Sequence, residues 1–501
     1  MKFKTPKKLI RPTKEDSKKQ NEGTSLNEDA LRKLFAKCID IQFSSLQYNH
    51  HTITLVYCMG LVNTDMLYQF VPKRLEEFFN QLEGEATVES FQNLLLPSLQ
   101  LVEEEEQVID DIFEGKLLFI VQEQNLIMSV DIADRPERQP EETTAEVSIK
   151  GPRDNFIENI TVNYALIRKR LRTTTLIGEA FEIGTRSKTK VSLLYMEDIA
   201  DQEFLKQIRK KLHSIDVDGL ISGTQLEELI NDSPYSILPR HAYTGKPDFA
   251  VESLLNGRFV LLIDGISYAY ITPVNIFYLL KSAEDKEYNY LYNSFERFIR
   301  VLGISIAAFL PGFWVALTAF HQNQLPLTLL ATIIESRRGV PFPTAMEAIL
   351  MLLLFELFKE AGMRLPVAVG QTLSVVGGLI IGDAAIRAGL TSPAMLVVIA
   401  GSTVATFTLV NQSLVGTVSL IRFFVIFLVS LFGFVGFFVS IFLVGTFVAK
   451  IRTFGVPYLA LATRINAKNI LKTIFNLPFR KKNTRSASLN PHDPTSQGGE
   501  S

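Results

Sequence analysis

Residues 254–265 read LLNGRFVLLIDG. A helix-like run ends near Gly257, and a short run rich in β-formers follows it. The same order occurs once before, where residues 112–121 read IFEGKLLFIV around Gly115. A second pair lies upstream of each. KVSLLYM (residues 190–196) matches ITLVYC, with Val191 against Ile53, Leu193 against Leu55 and Tyr195 against Tyr57. The two offsets, 142 and 138 residues, agree. That agreement points to a duplicated α/β unit; chance likeness between β-strands is the alternative. The second copy closes on Asp264-Gly265, a pair suited to a tight hairpin turn.

Around these landmarks the first copy fills in. Residues 31–41 and 66–82 have helical spacing, and 107–113 lead into Gly115, a helix stop. Residues 52–59, 116–121 and 125–130 read as strands, and RPERQPEE at 135–142 reads as a linker. Between the copies lies a helix within residues 151–173. Asp154 suits its N-cap, and Phe156, Ile160, Tyr164, Ile167 and Leu171 make one apolar face. Arg168, Lys169, Arg170 and Arg172 crowd its C-terminal end, where they complement the helix dipole. This helix serves either within its domain or at a subunit or membrane contact. For the second role Glu158, Arg168 and Arg170 are the candidates.

The 501 residues are 47% hydrophobic, but unevenly so. Residues 1–295 have soluble composition, whereas 366–449 hold only three charges, Asp383, Arg387 and Arg422. The net charge of −2 therefore hides a segregation. Aromatics and arginines at 288–300 suit an interfacial anchor, and five apolar segments follow, at 301–320, 346–358, 366–388, 393–411 and 420–449. Pro311-Gly312 can kink the first, and the last is long enough to tilt. From Lys450 to Arg485 there are nine Lys or Arg and no carboxylate, which predicts a cytoplasmic C-terminal tail. The basic N-terminus lacks the apolar core of a signal peptide, so the N-terminal region is expected in the cytoplasm as well. Two ends on one side require an even number of spans. The short, acidic segment 346–358 is the one expected to be re-entrant or interfacial.

The fold class expected is thus an α/β cytoplasmic N-terminal region of two similar subdomains, followed by an α-helical transmembrane domain of about four spans plus that helix. The boundaries are a basic tail at 1–26, solvated or membrane-associated, subdomains at 27–150 and 151–295, the membrane domain at 296–450 and a basic tail at 451–501.

Within 366–388 the small residues Gly370, Ser374, Gly378 and Gly382 recur every four positions, a row that lets another backbone approach closely. The opposite face carries Thr372, Val376, Leu379, Ile380, Asp383 and Arg387. It reads either as a buried helix whose Asp383–Arg387 pair neutralises itself, or as a pore lining with an apolar constriction and a charged mouth. Glu335, Glu347, Glu356 and Glu360 fall on the outer side, where carboxylates concentrate cations. Arg337-Arg338 lie in a polar turn or a gating loop. GxSxG, GKS/T and HExxH are absent, and Cys38 and Cys58 have no metal-type spacing, so no enzyme, cofactor or metal site is expected.

GPRDNFIENITVNYALIRKRLR, SPYS at 233–236, LLNGRFVLLIDG, ESRRGVPFPTAMEAILMLLLFELFKEAGMRLP and FGVPYLA at 454–460 resemble the A subunits of GerA-type spore germination receptors, from about residue 30 to 465. The resemblance implies a multi-pass protein of the inner spore membrane in a Gram-positive spore former. It implies a transporter-like B subunit, the better candidate for nutrient binding, and a lipoprotein C subunit as partners. It also implies a homo-oligomer, a pentameric ring, forming a nutrient-gated monovalent cation channel, with no nucleic-acid partner. A non-conducting scaffold, a paralogous accessory of dipicolinic acid release and a secondary transporter are the rival readings.

Overall fold

The structure is a computed structural model that describes residues 26–49, 51–82, 87–91, 94, 96–124, 126–134, 152, 154–233, 235–364, 382–459, 478 and 483–496. The chain divides into two compact units: residues 1–231 with 241–273 and 480–501, and residues 232–240 with 274–479.

The first unit holds two five-stranded antiparallel sheets. The first contains β1 (Ile41–Tyr48), β2 (His51–Cys58), β3 (Gln100–Leu101), β4 (Leu117–Val121) and β5 (Leu126–Val130). Its longer helices are α1 (Glu28–Leu34), α2 (Val71–Gln81) and α3 (Glu105–Glu114). The helix α4 (Ile160–Arg168) leads to β6 (Leu176–Ile183), β7 (Thr189–Met196), α5 (Gln202–His213), α6 (Gly223–Ile230), β8 (Ala242–Thr244), α7 (Pro247–Leu255), β9 (Phe259–Ile263) and β10 (Ala269–Thr272). The strand orders are β1-β2-β4-β5-β3 and β6-β7-β9-β10-β8. Numbered within each copy, these orders are the same, which is the duplication that the paired offsets predicted.

The central strands explain why the repeat was visible. β4 and β9 are buried along their whole length (LLFIV and FVLLI), so both faces must be apolar. Ile53, Leu55, Tyr57 and Phe119 enter one core beside α2, while Val56, Cys58, Leu118 and Ile120 enter another with α1 and α3. Gly115 and Gly257 turn helix into strand at φ 91° and 83°, in the left-handed region. A Cβ on Gly115 would stand 2.4 Å from the Leu61 carbonyl oxygen.

Several expectations shift. The run expected as a helix at 31–41 ends as one at Leu34, and β1 begins at Ile41. Asp154 does not cap α4; Asn159 does, accepting from the backbone amides of Thr161 and Val162. Asp154 instead pairs with Arg170 at 3.0 Å. Residues 163–168 of α4 are all buried, so this helix is enclosed rather than amphipathic. Asp264-Gly265 does sit in the β9–β10 hairpin, with Gly265 at φ 81°. The linker at 135–142 lies outside the described residues.

The second unit is helical: α8 (Tyr290–Val315, continued by a wider turn to Phe320), α9 (Leu327–Ser336), α10 (Thr344–Arg364), α11 (Gly382–Arg387), α12 (Pro393–Thr406) and α13 (Gln412–Lys450), then the short hairpin β11 (Arg452–Thr453) and β12 (Val456–Pro457). Among the described residues two helices are long and apolar enough to cross a membrane, Tyr290–Phe320 and Gln412–Lys450. The segment 346–358 sits inside a 21-residue helix, about 31 Å at 1.5 Å per residue and longer than its apolar run suggested. The last segment does not tilt as one rod: α13 breaks at Gly433, whose φ 60° and ψ −134° are not helical.

Candidate functional site

In the second unit, α8 packs against α12 and α13 through small residues. A Cβ on Gly303 would lie 2.1 Å from Thr408 Oγ1, and one on Gly312 would lie 2.5 Å from Val425 Cγ1. Gly303, Ala307 and Pro311 recur every four residues along this face, and all are buried. The sequence reading placed the small-residue row on 366–388 and missed this one, although the spacing that reveals it is the same.

At the centre of this interface stands Arg422, 2% exposed on α13. Pro311 explains its position. Proline has no N–H, so the Ala307 carbonyl, four residues earlier in α8, loses its intrahelical donor there. Arg422 Nε donates to that carbonyl at 2.9 Å. Its Nη2 finds no hydrogen-bond partner among the described residues. One turn away on α13, the Ser419 hydroxyl donates to a Glu356 carboxylate oxygen, and Glu356 also receives Lys359 at 3.3 Å. A proline-freed carbonyl, a buried guanidinium and a carboxylate thus share one helix junction.

A second polar site lies near the start of α10. Glu347 is fully buried; it pairs with Arg337 at 2.9 Å and accepts from the Ser392 backbone amide at 3.0 Å. Arg337 also donates to the Thr344 hydroxyl and to the Phe342 carbonyl. Arg337 therefore fastens the 337–344 turn to α10. Thr318, Gln322, Leu330, Ile333 and Arg337 line a pocket of about 220 Å³ beside it.

The carboxylates expected as an outer cluster do not gather. Glu347 and Glu356 are nine residues apart on α10, about 180° around the helix, so they face opposite ways. Glu347 is held by Arg337 and Glu356 by Ser419 and Lys359, while exposed Glu335 pairs with Arg338 at 3.4 Å. Glu360 lies on the same helix and has partners of its own. Asp383 and Arg387 form the expected i,i+4 pair at 2.7 Å, exposed on α11, and Gly382 is buried at its start. Thr372, Val376, Leu379, Ile380, Gly370, Ser374 and Gly378 lie outside the described residues.

In the first unit the contact candidates separate. Glu158 is exposed. Arg170 is held by Asp154 and the Leu166 carbonyl. Arg168 is fully buried, with a bidentate pair to Asp40 at 2.7 and 2.9 Å. It donates further to the carbonyls of Thr173 and Leu176 and to the Tyr164 hydroxyl, and stands 4.4 Å over the Phe113 ring. Each of its three nitrogens donates inside the unit, so it joins the two subdomains rather than two subunits. Burial disfavours the guanidinium charge, but Asp40 more than offsets this and holds the Arg168 pKa above its ordinary value. Burial also pushes the Cys38 thiol up to about 11 and the Cys58 thiol well above its usual value. Asp40 was illegible in the sequence because it lies 128 residues from its partner.

Residues 29–488 match the family described as Bacillus/Clostridium GerA spore germination protein. The chain belongs to this family. Among its GerA relatives, spore germination protein XA of Bacillus anthracis is 44% identical over 478 residues, covering 94% of this chain and 97% of that protein. Spore germination protein KA of Bacillus subtilis (strain 168) is 30% identical over 457 residues, covering 90% and 83%. Among solved structures, the crystal structure of the N-terminal domain of the A subunit of the Bacillus megaterium spore germinant receptor GerK3 is 25% identical. It covers 50% of this chain and 96% of that chain, at a TM-score of 0.39.

Proposed function

We propose that this chain is the A subunit of a spore germinant receptor, working in the spore inner membrane with a transporter-like B subunit and a lipoprotein C subunit. The observation that carries this reading is similarity along nearly the whole length to proteins named for spore germination, at 44% identity for one of them. The two long apolar helices fit a membrane protein. In the finer reading the chain assembles as a homo-oligomeric ring, a pentamer, whose 366–388 helices line a nutrient-gated path for monovalent cations. Thr372, Val376, Leu379 and Ile380 form its apolar constriction, Asp383 and Arg387 its charged mouth, and exposed Glu158 a subunit contact. Nutrient bound to a partner biases a closed–open equilibrium. It is a receptor subunit, not an enzyme.

The test is potassium flux from liposomes holding this chain with its B and C partners, before and after candidate nutrients. Nutrient-triggered flux that becomes spontaneous in Val376→Ala supports the gated path. An assembled complex that passes no potassium with any nutrient overturns the channel reading and leaves a non-conducting scaffold.

A further inference from the structure

The expected basic tail is, in its last described part, a folded element. Residues 483–496 close on themselves: Thr484 bridges Thr495, and the Ser496 amide donates to the Asn483 carbonyl at 3.1 Å. Arg485 is the hub. Its side chain is only 6% exposed, pairs with Asp493 at 2.8 Å and donates to the Thr495 carbonyl. Leu489 is 1% exposed.

This element belongs to the first unit and is fastened to the second sheet's helices. Arg485 Nε donates to the Leu255 carbonyl at the end of α7, at 2.7 Å. Asn490 donates to Asp201, the N-cap of α5, at 2.6 Å. The His492 amide donates to the Ile199 carbonyl at 2.9 Å. The family match ends at 488, so the anchoring residues Asn490 and His492 lie beyond it.

We infer that residues 483–496 are a strap by which the chain, having left the first unit at Pro273 and run through the whole helical unit, returns to the second α/β subdomain. If 290–450 is a membrane region, as proposed above, the return also fixes a parity. A strap docked on the unit that begins the chain lies on that unit's side of the bilayer, so the segment between crosses an even number of times. Hydrogen bonds and connectivity carry this parity, independently of the charge bias of the loops.

The experiment uses the full chain in membranes. A Cβ on Gly257 falls 3.7 Å from Pro491 Cβ, within the range a disulfide needs. Gly257→Cys with Pro491→Cys is oxidised mildly, denatured, and its remaining thiols counted by mass tags. Two tags at monomer mass, out of four cysteines, is the expected result. Because position 257 has a positive φ, Asp201→Cys with Asn490→Cys, bridged by a short bismaleimide, repeats the test. Arg485→Ala should slow either cross-link by about tenfold, the loss of a charge-assisted set of hydrogen bonds. Four free thiols in both pairs, or cross-linked dimers in place of monomers, overturns the strap. For parity, impermeant maleimide should reach Asp29→Cys and Ser496→Cys from the same side; opposite sides overturn the even count. Resistance of the protein to alkaline extraction reports separately on the membrane reading.

Discussion

The junction of Pro311, Ala307 and Arg422 gives a sharp energetic prediction. In the parent protein the Ala307 carbonyl is served by Arg422 Nε at 2.9 Å because residue 311 has no N–H to offer. Arg422→Met removes that donor and strands a buried carbonyl, a loss of about 1–3 kcal/mol. Pro311→Ala restores an intrahelical donor to the same oxygen and removes the proline from a helix interior. In the Pro311→Ala background the carbonyl is therefore satisfied without Arg422. The cost of Arg422→Met should fall there by about 1–2 kcal/mol, a coupling that a double-mutant cycle isolates. The assay is reversible unfolding of the full chain in detergent, followed by Trp314, which lies on α8 three residues beyond Pro311. The background effect of removing a buried charge enters both arms equally and cancels. A coupling under about 0.5 kcal/mol, with both single variants folded, would refute the claim that the proline-freed carbonyl is what Arg422 serves.

Gly433→Ala should destabilise the second unit by about 1–3 kcal/mol, because φ 60°, ψ −134° is nearly closed to residues with a Cβ. The added Cβ would also stand 2.9 Å from the Phe320 ring, and an unchanged unfolding midpoint in detergent would contradict both points. Arg168→Ala, which leaves Asp40 buried and unpaired, should cost about 3–5 kcal/mol by pulse proteolysis of the first unit, whereas Arg168→Met with Asp40→Leu should cost much less. Equal losses in the two would show that the charge pair is not what matters. Asp493 is pushed up by burial, but bonds from Thr495 and Arg485 outweigh this and leave it at about 2. Its folded value lies below the unfolded one of about 3.9, so its contribution to strap docking is full above that pH and fades as pH falls toward 2. Cross-linking yield in the Gly257→Cys, Pro491→Cys protein, made with an acid-tolerant reagent, should fall across that window and lose this pH dependence when Asp493→Asn is added.

The duplication was legible because the inner strands of each sheet must be apolar on both faces, which leaves a dense pattern to match. The outer strands were not. IQFSSLQY (β1) alternates between buried and exposed, and LIGEAFEI (β6) carries glutamates and a glycine, so neither reads as a run of β-formers. Helix boundaries followed Gly115 and Gly257 closely, since only glycine makes that turn cheaply. The charged groups were the hard part. Arg168 looked like a dipole partner at an exposed helix end until Asp40, from a distant loop, was found on it. Arg422 counted only as one of three charges in an apolar region. Its partner is a backbone oxygen made available by a proline 111 residues earlier, and no pattern of side chains encodes that. The outer carboxylates were grouped by side of the membrane alone, and a shared side does not give a shared helix face: Glu347 and Glu356 point opposite ways on α10.

The strap has a consequence for the order of synthesis. The first unit leaves the ribosome early, yet its surface at Ile199, Asp201 and Leu255 is completed by residues made more than 200 positions after Pro273. At about 5–20 residues per second, that surface stays open for roughly 10–40 s while the helical region is being made. During that interval the unit presents an unsatisfied helix end and an uncovered Gly257 turn. A chain cut short of residue 483 lacks the groups that close them. Docking of residues 483–496 therefore closes the surface of a unit most of which was made long before it.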